Sequence, residues 1–350
     1  MLKDNLKKIY GFIFSRNKIE LIAAAVLILL TVVNIVWLAI PEGGNDGSVG
    51  AVGTDGAADK EIVFSDEVFA KVIKEELNKD TFYQSDLNKV ESLTITEQEL
   101  TDISDLEYFK GLKTLIINGT DITDIGVIGK LPNIEELYLK KNRIDTIKGI
   151  ENAQTLVYID LSENKLSDIS PLFSLEKVEV LNVSGNYIEE ISPEIGGMKA
   201  LHDLFLGDNQ ITNFTFLEQI KSLKILNIDR SRLRSIAGIE SVEGLEELSV
   251  SDNLFKDISF IECFPNLKKL VASDNLITEL NLPDTELPLE YLELRNNFIT
   301  VADFSVLKNL NAIYIDSDID RSAVDFMIDN FKNGDKKTKQ YVLGKIYNLG

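Results

Sequence analysis

The stretch IEELYLKKNRIDTIKGIENAQT, Ile134 to Thr155, decides the fold, because its spacing of apolar residues recurs on both sides of it. Its apolar positions are Ile134, Leu137, Leu139, Ile144, Ile147 and Ile150, with Asn142 between the two groups. Moving on by 22 residues reaches Leu156, Ile159, Leu161, Asn164, Leu166, Ile169 and Leu172. Units begin at Val90, Leu112, Ile134, Leu156, Val178, Leu201, Leu223, Leu245, Leu267, Leu289 and Leu310, and eight of those ten spacings are 22. The alternation Leu137-Tyr138-Leu139 predicts a short strand with one buried face, and the steps of three from Ile144 to Ile150 predict tight turns. One such coil cannot bury its own Leu and Ile side chains, so coils must stack into a solenoid with a parallel sheet along one side.

The Asn that follows each strand has a matching physical task. Where the chain leaves the sheet, backbone groups turn inward without partners, and a buried amide can bridge them from coil to coil. Asn142, Asn164, Asn186, Asn209, Asn253, Asn275 and Asn297 form the expected ladder, with Gln98, Thr120, Ser231 and Asp318 standing in elsewhere.

The array resembles the leucine-rich-repeat family, whose pattern L-x-x-L-x-L-x-x-N-x-L is met by Leu156 to Leu166 and, with Ile or Val in place of Leu, by most other units. The pairs Asp124-Ile125, Asp168-Ile169 and Asp257-Ile258 look like the 22-residue subclass of bacterial internalin-like surface proteins and of phosphatase-regulating subunits. This resemblance covers residues 62 to about 320. It implies an α/β repeat fold: a solenoid with its parallel β-sheet on the concave face, short turns and 3-10 segments on the convex face, and helical caps at both ends. The family shares a scaffold and differs in partners, so fold alone does not name a ligand.

The flanks suggest how the array is held. Residues 21–40, LIAAAVLILLTVVNIVWLAI, carry no charge and would span ~30 Å as a helix, which predicts one transmembrane helix before the repeats. Lys3, Lys7, Lys8, Arg16 and Lys18 oppose only Asp4 and Glu20 in residues 1–20, a net of +3, leaving -24 on the rest of a chain whose total is -21. That bias keeps the N-terminus cytoplasmic and places the repeats in an extracytoplasmic position. A cleaved signal peptide is the alternative, disfavoured by the length of the run and the lack of a small-x-small site. Residues 41–60 hold six glycines and predict a flexible tether of ~25 Å average reach. Residues 61–89 predict a helical N-terminal cap, with Ser65 as the capping residue and Val68, Phe69, Val72, Ile73 and Leu77 on one face. The solenoid takes 90–320, and 321–350 forms a C-terminal helical cap and basic tail.

Composition narrows the function. An acidic chain of this kind disfavours nucleic acid and anionic lipid surfaces. Cys263 is the only cysteine, so no intramolecular disulfide forms, and it is expected as a small core residue. His202 is the only histidine, which excludes multi-His metal sites, and no phosphate loop, dinucleotide fingerprint or nucleophile elbow occurs. No enzyme activity, cofactor or small-molecule substrate is expected. Asp208, Asp252 and Asp274 occupy equivalent rim positions that could hold calcium, but turn formation explains them better.

Strand alternation places the third, fifth and seventh residues of each unit on the open face of the sheet. Tyr138, Tyr158, Val180, Phe205 and Ile225 come from five consecutive coils and are expected to form an apolar stripe for a protein partner. Lys140, Lys141, Asp160, Asp203, Asp229 and Arg230 would form its charged rim, and Tyr291, Glu293, Arg295 and Tyr314 a second patch. Strand propensity alone also favours Tyr, Ile and Val at such sites. The expected function is protein recognition or adhesion by a single-pass, membrane-anchored protein at a bacterial cell surface. Its rivals are an intracellular phosphatase-regulator-like subunit and a structural envelope spacer without a specific ligand.

Overall fold

The computed structural model describes residues 59–96, 99–283, 286–299 and 306–315. The basic segment 1–20, the apolar run 21–40, nearly all of the 41–60 tether, and the C-terminal cap and tail over 321–350 lie outside the described residues, as do Gln98 and Asp318. Among the described residues no helix is long and apolar enough to cross a membrane.

The chain begins with β1 (Glu61–Ile62), α1 (Glu67–Leu77), β2 (Phe82–Tyr83) and α2 (Gln84–Leu87). The first and second strands pair antiparallel, with Ile62 opposite Phe82. α1 buries Phe69, Val72 and Ile73, as its apolar spacing requires, but its cap is Asp66, which accepts from Phe69 N at 2.6 Å. Ser65 is engaged differently: its N–H and its hydroxyl both donate to Asp105 Oδ2, at 2.6 and 3.0 Å. Asp105 is buried in the first coil, so one carboxylate fastens the helix start to the array. Phe64, Phe69, Phe82 and Phe109 pack ring against ring beneath this contact.

Eleven strands follow in one parallel sheet whose spatial order is the sequence order. They are β3 (Ser92–Thr96), β4 (Thr114–Asn118), β5 (Glu136–Tyr138), β6 (Tyr158–Asp160), β7 (Val180–Asn182), β8 (Asp203–Phe205), β9 (Ile225–Asn227), β10 (Glu247–Ser249), β11 (Lys269–Val271), β12 (Tyr291–Glu293) and β13 (Ala312–Tyr314). Partners lie 22 residues apart, as Glu136 beside Tyr158, except where Val180 pairs with Asp203 and Tyr291 with Ala312. The middle residue of each short strand, such as Leu137, Ile159, Leu181 and Leu204, is fully buried, and so are Leu139, Leu161 and Val183 just beyond.

The amide ladder runs up the inside of the coils. Asn164 Nδ2 donates to Leu139 O at 2.9 Å and to Leu161 O at 3.0 Å, and its Oδ1 accepts from Ile144 N at 3.1 Å. Asn142, Asn186, Asn209, Asn253, Asn275 and Asn297 each repeat the pair of donations to the carbonyl three residues back and to its equivalent one coil earlier. Ser231 cannot reach so far and donates to Asp229 O instead.

Short 3-10 segments form the far side of the coils, among them Gly126–Lys130, Ser170–Ser174 and Ser259–Cys263. The Asp-Ile pairs explain their position. Asp124, Asp168 and Asp257 accept from the N–H two residues on, at 2.7, 2.8 and 3.0 Å, while Ile125, Ile169 and Ile258 are buried. Cys263, expected in the core, is exposed at the end of its segment. Desolvation, then the Glu240 and Glu262 carboxylates, push its thiol up and away from the reactive thiolate.

Candidate protein-interaction surface

The open face of the sheet is built by the first and third residues of each strand. Register brings Ile116 beside Tyr138, Tyr158 beside Val180, and Asp203 beside Ile225, with Phe205 next to Asn227. Tyr138 and Tyr158 lie diagonally across neighbouring strands and stack, ring centroids 4.6 Å apart. Tyr138 is only 7% exposed, whereas Tyr158, Val180, Phe205 and Ile225 are half-buried. Register joins Tyr158 to Val180, while Asp203 lies beside both Val180 and Ile225, and Phe205 lies between Asn182 and Asn227; Tyr138 serves as a wall for Tyr158. Burial, then the carboxylates of Glu136 and Asp160 around them, push both phenols far above their ordinary value, so they are neutral hydrogen-bonding groups.

The charged rim is different from the one alternation suggests. Asp160 is buried, and its Oδ1 accepts from Ser162 N at 2.9 Å. Asp229 is half-buried and accepts from Ser251 N at 2.6 Å, Ser249 Oγ at 2.7 Å and Asn227 Nδ2 at 2.7 Å. Burial pushes both carboxyls up. Each holds together the turn that leaves its strand and offers little free charge to a partner. Lys140 pairs with Glu163 at 3.1 Å. Arg230 sits beyond the strand in a left-handed turn, φ 54°, and pairs with Asp252 at 3.5 Å.

Left-handed backbone marks that eighth position throughout: Gly119, Lys141, Glu163, Gly185, Asp208, Arg230, Asp252, Asp274 and Asn296 all have φ between 54° and 70°. The Asp residues weighed for calcium are turn residues of this kind, and among the described residues no cluster of three or more His, Cys, Asp or Glu side chains could hold a metal.

The second patch is a connected group. Tyr291 Oη donates to Glu293 Oε2 at 2.8 Å, Arg295 Nε donates to Glu293 Oε1 at 2.9 Å, and the Arg295 guanidinium lies 5.5 Å over the Tyr314 ring. Lys269 lies 5.5 Å over the Tyr291 ring. At the strand start His202 Nδ1 sits 2.7 Å from Asp203 Oδ1 and its Nε2 3.7 Å from Glu179. His202 stands at the second position of its coil, the column in which Glu91 faces Lys113 and Lys268 faces Glu246.

Comparison with known proteins agrees with this geometry. Residues 110–152 match leucine-rich repeats, in two copies. No curated protein matches the chain. Among solved structures the chain is similar to an internalin of Listeria monocytogenes, with 25% identity and a TM-score of 0.55 over 72% of this chain and 82% of that one. A second Listeria monocytogenes internalin, of the C2 type, matches with 26% identity and a TM-score of 0.47 over 69% of this chain and 94% of that one. A leucine-rich-repeat protein of Leptospira interrogans matches with 21% identity and a TM-score of 0.49 over 71% and 84%. Residues 110–152 thus carry leucine-rich repeats, and the chain has an internalin among its structural neighbours.

Proposed function

We propose that this protein captures a protein partner on the open face of its sheet, without catalysis, and presents that face outside a bacterial cell from a single membrane-spanning helix at residues 21–40. The observation that carries the first half is the half-buried run Tyr158, Val180, Phe205 and Ile225, held by consecutive strands with register fixed on both sides. Apolar and aromatic side chains held on rigid strands lose little entropy when they bind. Similarity to a Listeria internalin supports a surface setting of the 22-residue type. The charge bias around the uncharged run supports the anchor and its orientation.

Both halves are tested on intact cells expressing the full chain. Added protease should release a fragment that begins in the 41–60 tether, and chemical crosslinking before proteolysis should trap a partner that a Phe205→Ser, Ile225→Ser double variant no longer traps at equal surface abundance. Protection of the repeats until the membrane is breached would overturn the location. Equal capture by wild type and variant would overturn the sheet face as the site.

A further inference from the structure

Coil 223–244 departs from its neighbours at several positions. Ser231 replaces the ladder Asn, and Ser235 stands where Asn213 and Asp257 of the two neighbouring coils accept from the N–H two residues on. Among the described residues this coil has no 3-10 segment. It carries a second left-handed residue, Arg232 at φ 55°, two residues after the usual one at Arg230. Leu233 is half-buried where other coils place fully buried residues such as Ile144 and Ile277. On its far side a Cβ on Gly238 would come within 2.9 Å of Thr215 N, a close approach shared with Gly149 at the equivalent position of its own coil.

A cleft of about 380 Å³ lies between this coil and the next. Leu254, Phe260 and Leu276 form its apolar wall, and Arg234 and Lys256 stand on it. Leu254, Leu276 and Phe298 are successive members of one flank ladder, joined through Leu276 N to Phe255 O at 2.9 Å and Phe298 N to Ile277 O at 2.8 Å. The apolar surface therefore continues out of the cleft onto Leu276, 40% exposed, and Phe298, 63% exposed. Earlier coils carry Asp121, Arg143, Lys165, Tyr187 and Gln210 at the same flank position, so among the described residues three successive apolar side chains occur there only in these coils.

Charge says what fits. Arg232, Arg234 and Lys256 are exposed and form no ion pair among the described residues, on a chain whose net charge is -21. Asp257, the carboxylate on the wall, is occupied by Ser259 N at 3.0 Å. With Arg234 and Lys256 against Asp257 the cleft lining carries a net of +1, and this cationic bias beside an apolar slot matches a ligand that brings its own carboxylates and a large apolar side chain. A backbone held in an uncommon left-handed pair at that rim is the kind of strain found at binding sites.

We propose that this flank cleft docks an acidic peptide segment of a partner protein, with Phe, Leu or a similar side chain in the slot and its carboxylates on Arg234 and Lys256. This surface lies on the coil flank and is independent of the sheet face, so each can fail without the other.

The probe is a labelled synthetic peptide alternating Glu with Phe and Leu, titrated into the full-length chain and followed by fluorescence anisotropy. Saturable binding is expected, weakened by about tenfold or more in an Arg234→Ser, Lys256→Ser variant. Ser235→Trp, which fills the slot and keeps the cations, should weaken binding similarly, while Phe205→Ser on the sheet face leaves it unchanged. All substituted positions except Phe205 are exposed, and unchanged thermal midpoints report intact folding. The proposal is overturned if the wild type does not bind, if a Lys-for-Glu peptide binds as well, or if a Ser-for-Phe/Leu peptide binds equally. It is also overturned if Ser235→Trp abolishes a concentration-dependent dimer and has no effect on the peptide, since the cleft would then seat a second copy of the chain.

Discussion

Asn164 closes three backbone groups on two coils with a single buried amide. A buried carbonyl or N–H without a partner costs about 1–3 kcal/mol, so Asn164→Leu should lower unfolding free energy by about 3 kcal/mol or more, read as a shifted denaturant midpoint at unchanged slope. A loss below about 1 kcal/mol would mean that water replaces the amide. Asp160, four residues earlier, is the opposite case. Its carboxyl is pushed up chiefly by burial, partly offset by its bonds from Ser162. The folded state therefore holds that proton more tightly than the unfolded chain. Its contribution to stability is fully present below the ordinary carboxylate range and is lost as pH rises through the raised value. Asp160→Asn keeps an acceptor for Ser162 N and removes the buried charge, so its thermal midpoint should exceed wild type at neutral pH, with the difference closing as the solution is acidified. An advantage that grows in acid would refute this assignment. The amides were legible in the sequence because they recur every 22 residues between apolar groups. The burial of Asp160 was not, because alternation gives the face on which a side chain stands and says nothing of its depth.

The same distinction holds for the elements. Strands, their order and their buried faces follow from period two inside a longer repeat, and the structure places all eleven where the repeat puts them. The cap helix followed from its apolar spacing, but its first turn did not: either Ser65 or Asp66 could cap, and the choice is made by Asp105, 40 residues away, which takes Ser65. The left-handed eighth position was visible only in part. Gly119, Gly185, Asp208, Asp252, Asp274 and Asn296 are residue types that tolerate it, while Lys141, Glu163 and Arg230 adopt it without any such signal. At Gly185, φ 69°, an added Cβ would also stand 3.3 Å from Glu163. Gly185→Val should therefore cost about 1–2 kcal/mol or more, and Gly185→Asn clearly less, in paired thermal unfolding measurements. Equal cost for both would assign the effect to contact with Glu163 and not to backbone hand. On the open face, strand position identified Tyr138 and Tyr158 but not their stacking. Their raised phenol values imply stability that is present below the ordinary tyrosine value, about pH 10, and is lost above it. Tyrosine ionisation read by ultraviolet absorbance should accordingly show a late group that titrates together with loss of circular dichroism, and Tyr158→Phe should move that unfolding to higher pH. Unfolding at the same pH in the variant would remove Tyr158 as its cause.

Across the whole repeat domain, each coil touches only its neighbours, so stability propagates along the array and a weak joint divides it. The joint is coil 223–244, where the amide ladder is interrupted at Ser231, the 3-10 segment is missing and the flank cleft enters. Sequence showed the interruption as one Ser in a column of Asn, yet not its consequence, because the departures at Ser231, Arg232 and Ser235 act together only once the coil is closed. On the N-terminal side, β4 to β8 have an unbroken ladder from Asn142 to Asn209 and a capped first coil. On the C-terminal side, β10 to β12 share a shorter one from Asn253 to Asn297. Native-state hydrogen exchange under mild denaturant should therefore resolve two cooperative openings, with amides of β10 to β12 released at lower denaturant than those of β4 to β8. Ser231→Asn supplies an amide that can reach Leu206 O, already served by Asn209 alone. The variant should bring the two openings together, most of all by raising that of the C-terminal coils. A single opening in the wild type, or two that the variant leaves apart, would show that the joint transmits stability as well as any other coil and that the ladder is not what couples one half of the array to the other.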